Sequence, residues 1–127
     1  MKQILLVSNN SANFSEFASE LKEKDAIQLL MVESAQEALR NAESTSLDVV
    51  VTDEELSDGK GLELVKQLVQ KFPLVNCVMV NTLPADDFHE YTEGLGVLMQ
   101  LPPQPTREEA KKMLSILDSI NVLLKET

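Results

Sequence analysis

The chain has 127 residues, 43% of them hydrophobic and 25% charged, which suits one domain with its own hydrophobic core. Its formal net charge of −10 argues against a nucleic-acid partner, whose phosphates need lysine and arginine, and against an anionic membrane surface. No apolar stretch approaches the ~20 residues of a membrane span, Met1-Lys2 leads into a short apolar run rather than a signal peptide, and a single cysteine, Cys77, excludes an internal disulfide, so a cytoplasmic location is expected.

Two periodicities alternate along the chain. The first predicted strand is Gln3–Val7, followed by a helical stripe of Phe14, Phe17, Ala18 and Leu21. A second strand, Ile27–Val32, precedes a stripe of Ala35, Ala38, Leu39 and Ala42. Its start is marked by Ser34-Ala-Gln-Glu37, a capping box in which the hydroxyl takes an orphan N–H and the glutamate reaches back. The third strand, Asp48–Thr52, is nearly continuous in valine, as befits a strand covered on both faces. Gly59 and Gly61 then flank a third helix carrying Leu62, Val65, Val69 and Phe72, which Pro73 closes. Cys77–Val80 is the fourth strand, and its apolar setting marks Cys77 as a buried structural thiol. Pro84–Glu93 is a short, weak helix, and Val97–Leu101 is the fifth strand. The capping box Thr106-Arg-Glu-Glu109 opens a long last helix striped with Ala110, Met113, Leu114, Leu117, Ile120 and Leu124.

The order is thus (βα)5 in a single domain, residues 1–127. Right-handed crossovers leave few topologies for it, and the expected fold is α/β, a flavodoxin-like doubly wound five-stranded parallel sheet in the order 2-1-3-4-5. In such sheets function gathers beyond the carboxyl ends of the strands. Here those ends carry Ser8-Asn9-Asn10, Asp53-Glu54-Glu55, Asn81-Thr82 and Leu101-Pro102.

Asp53 closes the run Asp48-Val-Val-Val-Thr-Asp53 and is followed by x7-Gly61-Leu62-Glu63-Leu64. Together with the five-fold βα alternation and the Leu101-Pro102 step, this resembles the CheY-like family of response-regulator receiver domains over essentially the whole chain. The resemblance implies an aspartate that accepts a phosphoryl group as a nucleophile. It implies an acidic pair that helps hold Mg²⁺, a hard cation seeking oxygen ligands. It also implies a Thr or Ser and a Lys that bind the phosphate oxygens, because a carboxylate and a phosphoryl group repel unless cations intervene. Residue by residue, Asp53 falls on the acceptor position. The acidic pair falls on Ser8 and Asn9, with Asn9 standing 44 positions before Asp53. The hydroxyl position falls on Asn81, with Thr82 next, and the lysine position falls on Leu101. The proline four residues past the acceptor is Ser57, and the aromatic switch position of the fifth strand is Leu98. The fourth-helix region is about two residues short.

What the resemblance implies for this chain is therefore a degenerate receiver, a pseudo-receiver rather than an enzyme. It would act in two-component signalling through contact with a histidine kinase, an output domain or another signalling protein, with little or no phosphorylation. The alternatives are a working response regulator phosphorylated on Asp53 and a structural dimerisation module, which includes a weak homodimer. No cofactor is expected. Mg²⁺ would be held weakly at most, by Asp53, Glu55 and Asn9. The partner face, by analogy, comprises Phe88, Tyr91, Leu98, Gln100 and Lys111 or Lys112. The Leu101–Pro102 bond is expected to be cis, since only an X–Pro bond makes that isomer accessible. A stand-alone domain and the first part of a longer regulator both remain open. A flavin-binding reading of Ser8–Ser11 fails on its lack of glycine.

Overall fold

In the computed structural model, which describes the backbone of residues 2–126 and the side chains of residues 2–120, strands and helices alternate in the expected order. They are β1 (Lys2–Val7), α1 (Ser15–Lys22), β2 (Ile27–Val32), α2 (Ala35–Ser44), β3 (Val49–Thr52), β4 (Glu55–Leu56), β5 (Gly59–Lys60), α3 (Gly61–Lys71), β6 (Asn76–Val80), α4 (Ala85–Tyr91), β7 (Met99–Leu101) and α5 (Arg107–Glu126). The five long-range strands form one parallel sheet in the order β2-β1-β3-β6-β7. Counting only those five, this is the 2-1-3-4-5 order of a flavodoxin-like sheet.

Side-chain alternation along each strand divides the apolar residues between two layers. Ile4, Leu6, Val49, Val51, Val78 and Val80 face α1 and α5, where they meet Phe14, Phe17, Leu21, Met113 and Leu117. Leu5, Val7, Val50, Cys77 and Met79 face the opposite layer with Ala38, Ala42, Leu64, Val65, Leu68 and Phe88. Burial pushes the Cys77 thiol up to about 11, so it packs as a small apolar group. Leu124 lies outside the described side chains.

Several expectations need correction. The stripe of α3 is rotated: Leu64, Val65 and Leu68 are buried, whereas Leu62, Val69 and Phe72 pack at its flank. Apolar residues cover so much of this helix that spacing alone does not locate the centre of its buried face. The peptide bonds, Leu101–Pro102 included, are all trans among the described residues. Trans is favoured before proline by about 0.5–1 kcal/mol, and position 101 carries a leucine turned into the core. The fifth strand is shorter than expected, Met99–Leu101, although the Leu98 N–H already bonds Cys77 O at 2.8 Å; Gly94 and Gly96, at φ 83° and 65°, turn the chain ahead of it.

The hairpin of β4 and β5 was not anticipated. Asp58-Gly59, a turn dipeptide, was its available signal. Its tip docks on the start of α2. The Asp58 carboxylate accepts the Ala35 and Gln36 N–H groups at 2.8 and 3.1 Å. These two backbone bonds hold it below its ordinary value. Ser34 Oγ takes the Glu37 N–H at 3.1 Å as the capping box requires, but the Glu37 carboxylate reaches back to Glu33 N (3.4 Å) rather than to Ser34. At α5 the second box forms its reciprocal half, with the Glu109 carboxylate accepting from the Thr106 N–H and hydroxyl.

Candidate functional site

Register brings the site together. Val7 pairs with Thr52, and Asp53 donates its N–H to Val7 O at 2.9 Å, so Ser8 and Asp53 leave adjacent strands side by side. Thr52 pairs with Met79 and Val80 with Leu101, which sets Asn81 and Pro102 at the same end of the sheet. All four strand ends named from the sequence thus meet at one edge.

Asp53 is half-buried there, and its carboxylate is occupied. Oδ2 accepts the Ser8 hydroxyl at 3.0 Å and the Asn13 amide at 3.3 Å, while Oδ1 accepts the Glu54 N–H at 2.9 Å. Thr52 Oγ1 donates to the Asp53 backbone carbonyl at 3.0 Å. Asn13 was not singled out from the sequence. It is aimed at Asp53 by a 3-10 turn over Ser11–Phe14, started where Asn10 Oδ1 accepts the Ala12 N–H at 3.3 Å. An Asx turn at Asn10 was its available signal. Ser8 is nearly fully buried and also accepts the Asn10 N–H at 3.1 Å, so it is held from both sides.

The glycine of the Gly-Leu-Glu-Leu motif has a steric reason. A Cβ on Gly61 would lie 2.2 Å from the Asp53 carbonyl oxygen and 3.1 Å from Thr52 Oγ1. The helix start approaches the Asp53 backbone so closely that only glycine fits.

The remaining positions are drawn elsewhere. Asn9 is exposed. Asn81 is buried, but its Oδ1 accepts the Leu83 N–H at 2.8 Å and so shapes its own loop. Leu101 is fully buried in the α1/α5 layer, and its carbonyl accepts the Asn81 N–H at 3.0 Å. Glu54 turns to Thr82, whose N–H and hydroxyl approach its Oε1 at 3.1 and 3.4 Å. Glu55 is exposed and ion-paired with Lys60 across the hairpin. Of the proposed metal ligands Asp53, Glu55 and Asn9, only Asp53 therefore turns its side chain into the strand-end site. The rest of its immediate set is one hydroxyl, which has both the carboxylate and the Asn10 carbonyl at 3.0 Å to donate to, and one amide that donates to the carboxylate. Among the described residues no group of three or more His, Cys, Asp or Glu side chains converges. This donor set does not fit Mg²⁺, which demands a near-octahedral shell of oxygens with lone pairs free to coordinate.

The residues named for a partner face are divided as well. Phe88 is 5% exposed and packs under α4, so it is withdrawn from that face; its ring lies on the inward side of a helix of only seven residues. Tyr91 is exposed, Leu98 is half-buried against the α1/α5 layer, and Lys111 and Lys112 are exposed on α5. Gln100 Nε2 donates to Leu83 O at 2.7 Å and to Asn81 O at 3.2 Å, tying β7 to the loop after β6.

Comparison with known proteins bears on the family and the fold. The response regulator receiver domain family matches residues 4–101. A response regulator receiver protein of Anaeromyxobacter sp. (strain Fw109-5) is 30% identical over 102 residues, covering 80% of this chain and 42% of that protein; the chain thus spans less than half the length of this relative. The fold is shared with the signal receiver domain of an HD domain-containing protein from Pseudomonas fluorescens Pf-5, at a TM-score of 0.81 and 18% identity over 99% of this chain and 93% of that one. It is shared equally with the chemotaxis response regulator CheY4 of Vibrio cholerae, at 0.80 and 18% over 92% and 98%. With that family matched over residues 4–101 and Asp53 at the end of its third sheet strand, the chain belongs to the response regulator receiver domain family.

Proposed function

We propose that this chain is a degenerate receiver, a pseudo-receiver of a two-component system that signals by protein–protein contact with little or no phosphorylation of Asp53. The observation that carries this reading is the Asp53 carboxylate itself, already satisfied by Ser8, Asn13 and its neighbour's N–H. A phosphoryl group arriving there would displace those bonds and meet no lysine, since Leu101 is buried. Like unit charges 4 Å apart repel by about 4 kcal/mol at the effective dielectric of a protein surface. The domain carries a net charge of −10, and among the described residues no lysine or arginine pairs with Asp53 to offset such repulsion. The partner is a histidine kinase or an output domain or protein, and the face offered to it is Tyr91, Leu98, Gln100 and Lys111.

The test is a titration of the ¹⁵N-labelled chain with beryllofluoride and millimolar Mg²⁺. Unchanged resonances for Ser8, Asn13, Asp53 and Thr82 are expected. Saturable shifts at these positions, together with acetyl-phosphate labelling of Asp53 that is lost in Asp53→Asn, would replace this reading with a working phospho-acceptor. Sedimentation at micromolar concentration checks the dimerisation alternative, and a monomer is expected.

A further inference from the structure

Glu54 is the acidic residue that the acceptor reading leaves without a role. It stands at the end of β3, yet its carboxylate crosses to the loop after β6, where one oxygen accepts both the N–H and the hydroxyl of Thr82. The same loop is gripped from the other side. Gln100 on β7 donates to the carbonyls of Asn81 and Leu83, the Asn81 side chain takes the Leu83 N–H, and the Asn81 N–H bonds Leu101 O. Residues 81–83 therefore hang between the two neighbouring strands. They run into Pro84, whose ring fixes φ (here −58°) immediately before α4 begins at Ala85. Thr82 therefore stands three residues before the start of α4, in the segment that leads into it.

We propose that Glu54 is a positioning residue: through Thr82 its carboxylate latches the β6–α4 loop and holds α4 and Gln100 in one arrangement, so that the chain's own anion fixes the partner face. The consequence for partner binding rests on the pseudo-receiver reading above, whereas the latch does not. Three features support the latch over an incidental surface contact. Both donors come from one residue and converge on one carboxylate oxygen, the N–H at 3.1 Å as the principal bond and the hydroxyl at 3.4 Å as a longer second contact. Glu54 leaves Glu55 to pair with Lys60, so the two neighbouring acids serve different elements. Finally, Gln100 and Leu101 hold Asn81 and Leu83 from the opposite strand, so that Thr82 is the residue of this loop whose hydrogen bonds come from Glu54.

The test uses the whole chain without metal or phosphate analogue, comparing wild type with Glu54→Ala, Glu54→Gln and Thr82→Val by ¹⁵N–¹H spectra and amide hydrogen exchange. Glu54→Ala is expected to speed exchange at Thr82 about tenfold, as the loss of a charge-assisted bond would. It should shift the resonances of residues 82–91 and of the Gln100 side-chain amide, while Ser8 and Asn13 stay in place. Glu54→Gln, whose amide oxygen still accepts, should restore part of the protection, and Thr82→Val, which keeps the backbone bond, should lose only part of it. Thr82 exchange within twofold of wild type in Glu54→Ala, or shifts confined to residues 53–55, would overturn the latch. Failure of the pseudo-receiver reading has a separate signature, beryllofluoride-dependent shifts at Asp53, and is read in its own titration.

Discussion

Restoring a lysine at position 101 should damage this domain before it repairs anything. Leu101 has no exposed surface and packs in the layer shared with Val80, Ala110 and Met113. Fully burying a leucine side chain contributes about 1.5–3 kcal/mol, and emptying such a site costs about 2–5 kcal/mol with the cavity included. A lysine in Leu101→Lys can refill part of the space with its methylenes, but its ammonium must reach water at the strand ends, pulling the stem out of the core. A net loss of about 2–4 kcal/mol follows from these magnitudes. Unfolding entropy near the midpoint is about 2.1 cal/mol/K per residue, hence about 0.27 kcal/mol/K for 127 residues, so Tm should fall by about 7–15 °C. Circular dichroism at 222 nm with a parallel urea titration measures this. The reasoning fails if Leu101→Lys melts within 2 °C of wild type. If that variant also gained beryllofluoride-dependent shifts at Asp53, position 101 would be open to the pocket and the core assignment wrong.

Two further outcomes follow from the geometry. Gly61→Ala gains helix propensity but drives a Cβ to 2.2 Å from the Asp53 carbonyl. The overpacking cost of about 1–3 kcal/mol exceeds the gain at a first-turn position, so Tm should drop and the Asp53 amide resonance should move; a variant more stable than wild type contradicts the close approach. Acid should destabilise the fold through two carboxyls in particular. Burial pushes Glu20 up, but its bonds to Arg107 and Lys24 outweigh this and hold it below 4.5, while the Ala35 and Gln36 N–H groups hold Asp58 below 3.8. With both folded values depressed, their contribution is complete above those unfolded values and is lost as pH falls through the lower folded ones. Urea midpoints should therefore decline below about pH 4.5, and less steeply in Glu20→Gln and Asp58→Asn; equal slopes in all three proteins would exclude these groups as the cause.

The (βα)5 order, the five strands, the doubly wound topology and the strand-end cluster were all legible in the linear chain. Runs such as Val49-Val50-Val51 and stripes such as Phe17-Ala18-Leu21 are set by local periodicity, and right-handed crossovers leave little freedom in joining them. The spacing from Asp53 to Gly61 was legible too, although its reason was not: the contact of a helix start with a carbonyl eight residues earlier exists only once the β4/β5 hairpin has folded back. What tertiary structure alone decided is which polar group each side chain found. Asn13, not Asn81, reached Asp53; Glu54 crossed to Thr82; Asp58 capped a helix that begins 23 positions before it; and Leu101 turned inward beside a trans proline. Hydrophobic periodicity is a property of neighbours along the chain, whereas a hydrogen-bond partner is chosen among groups that register brings together. The first is written in sequence, and the second exists only when the sheet has closed.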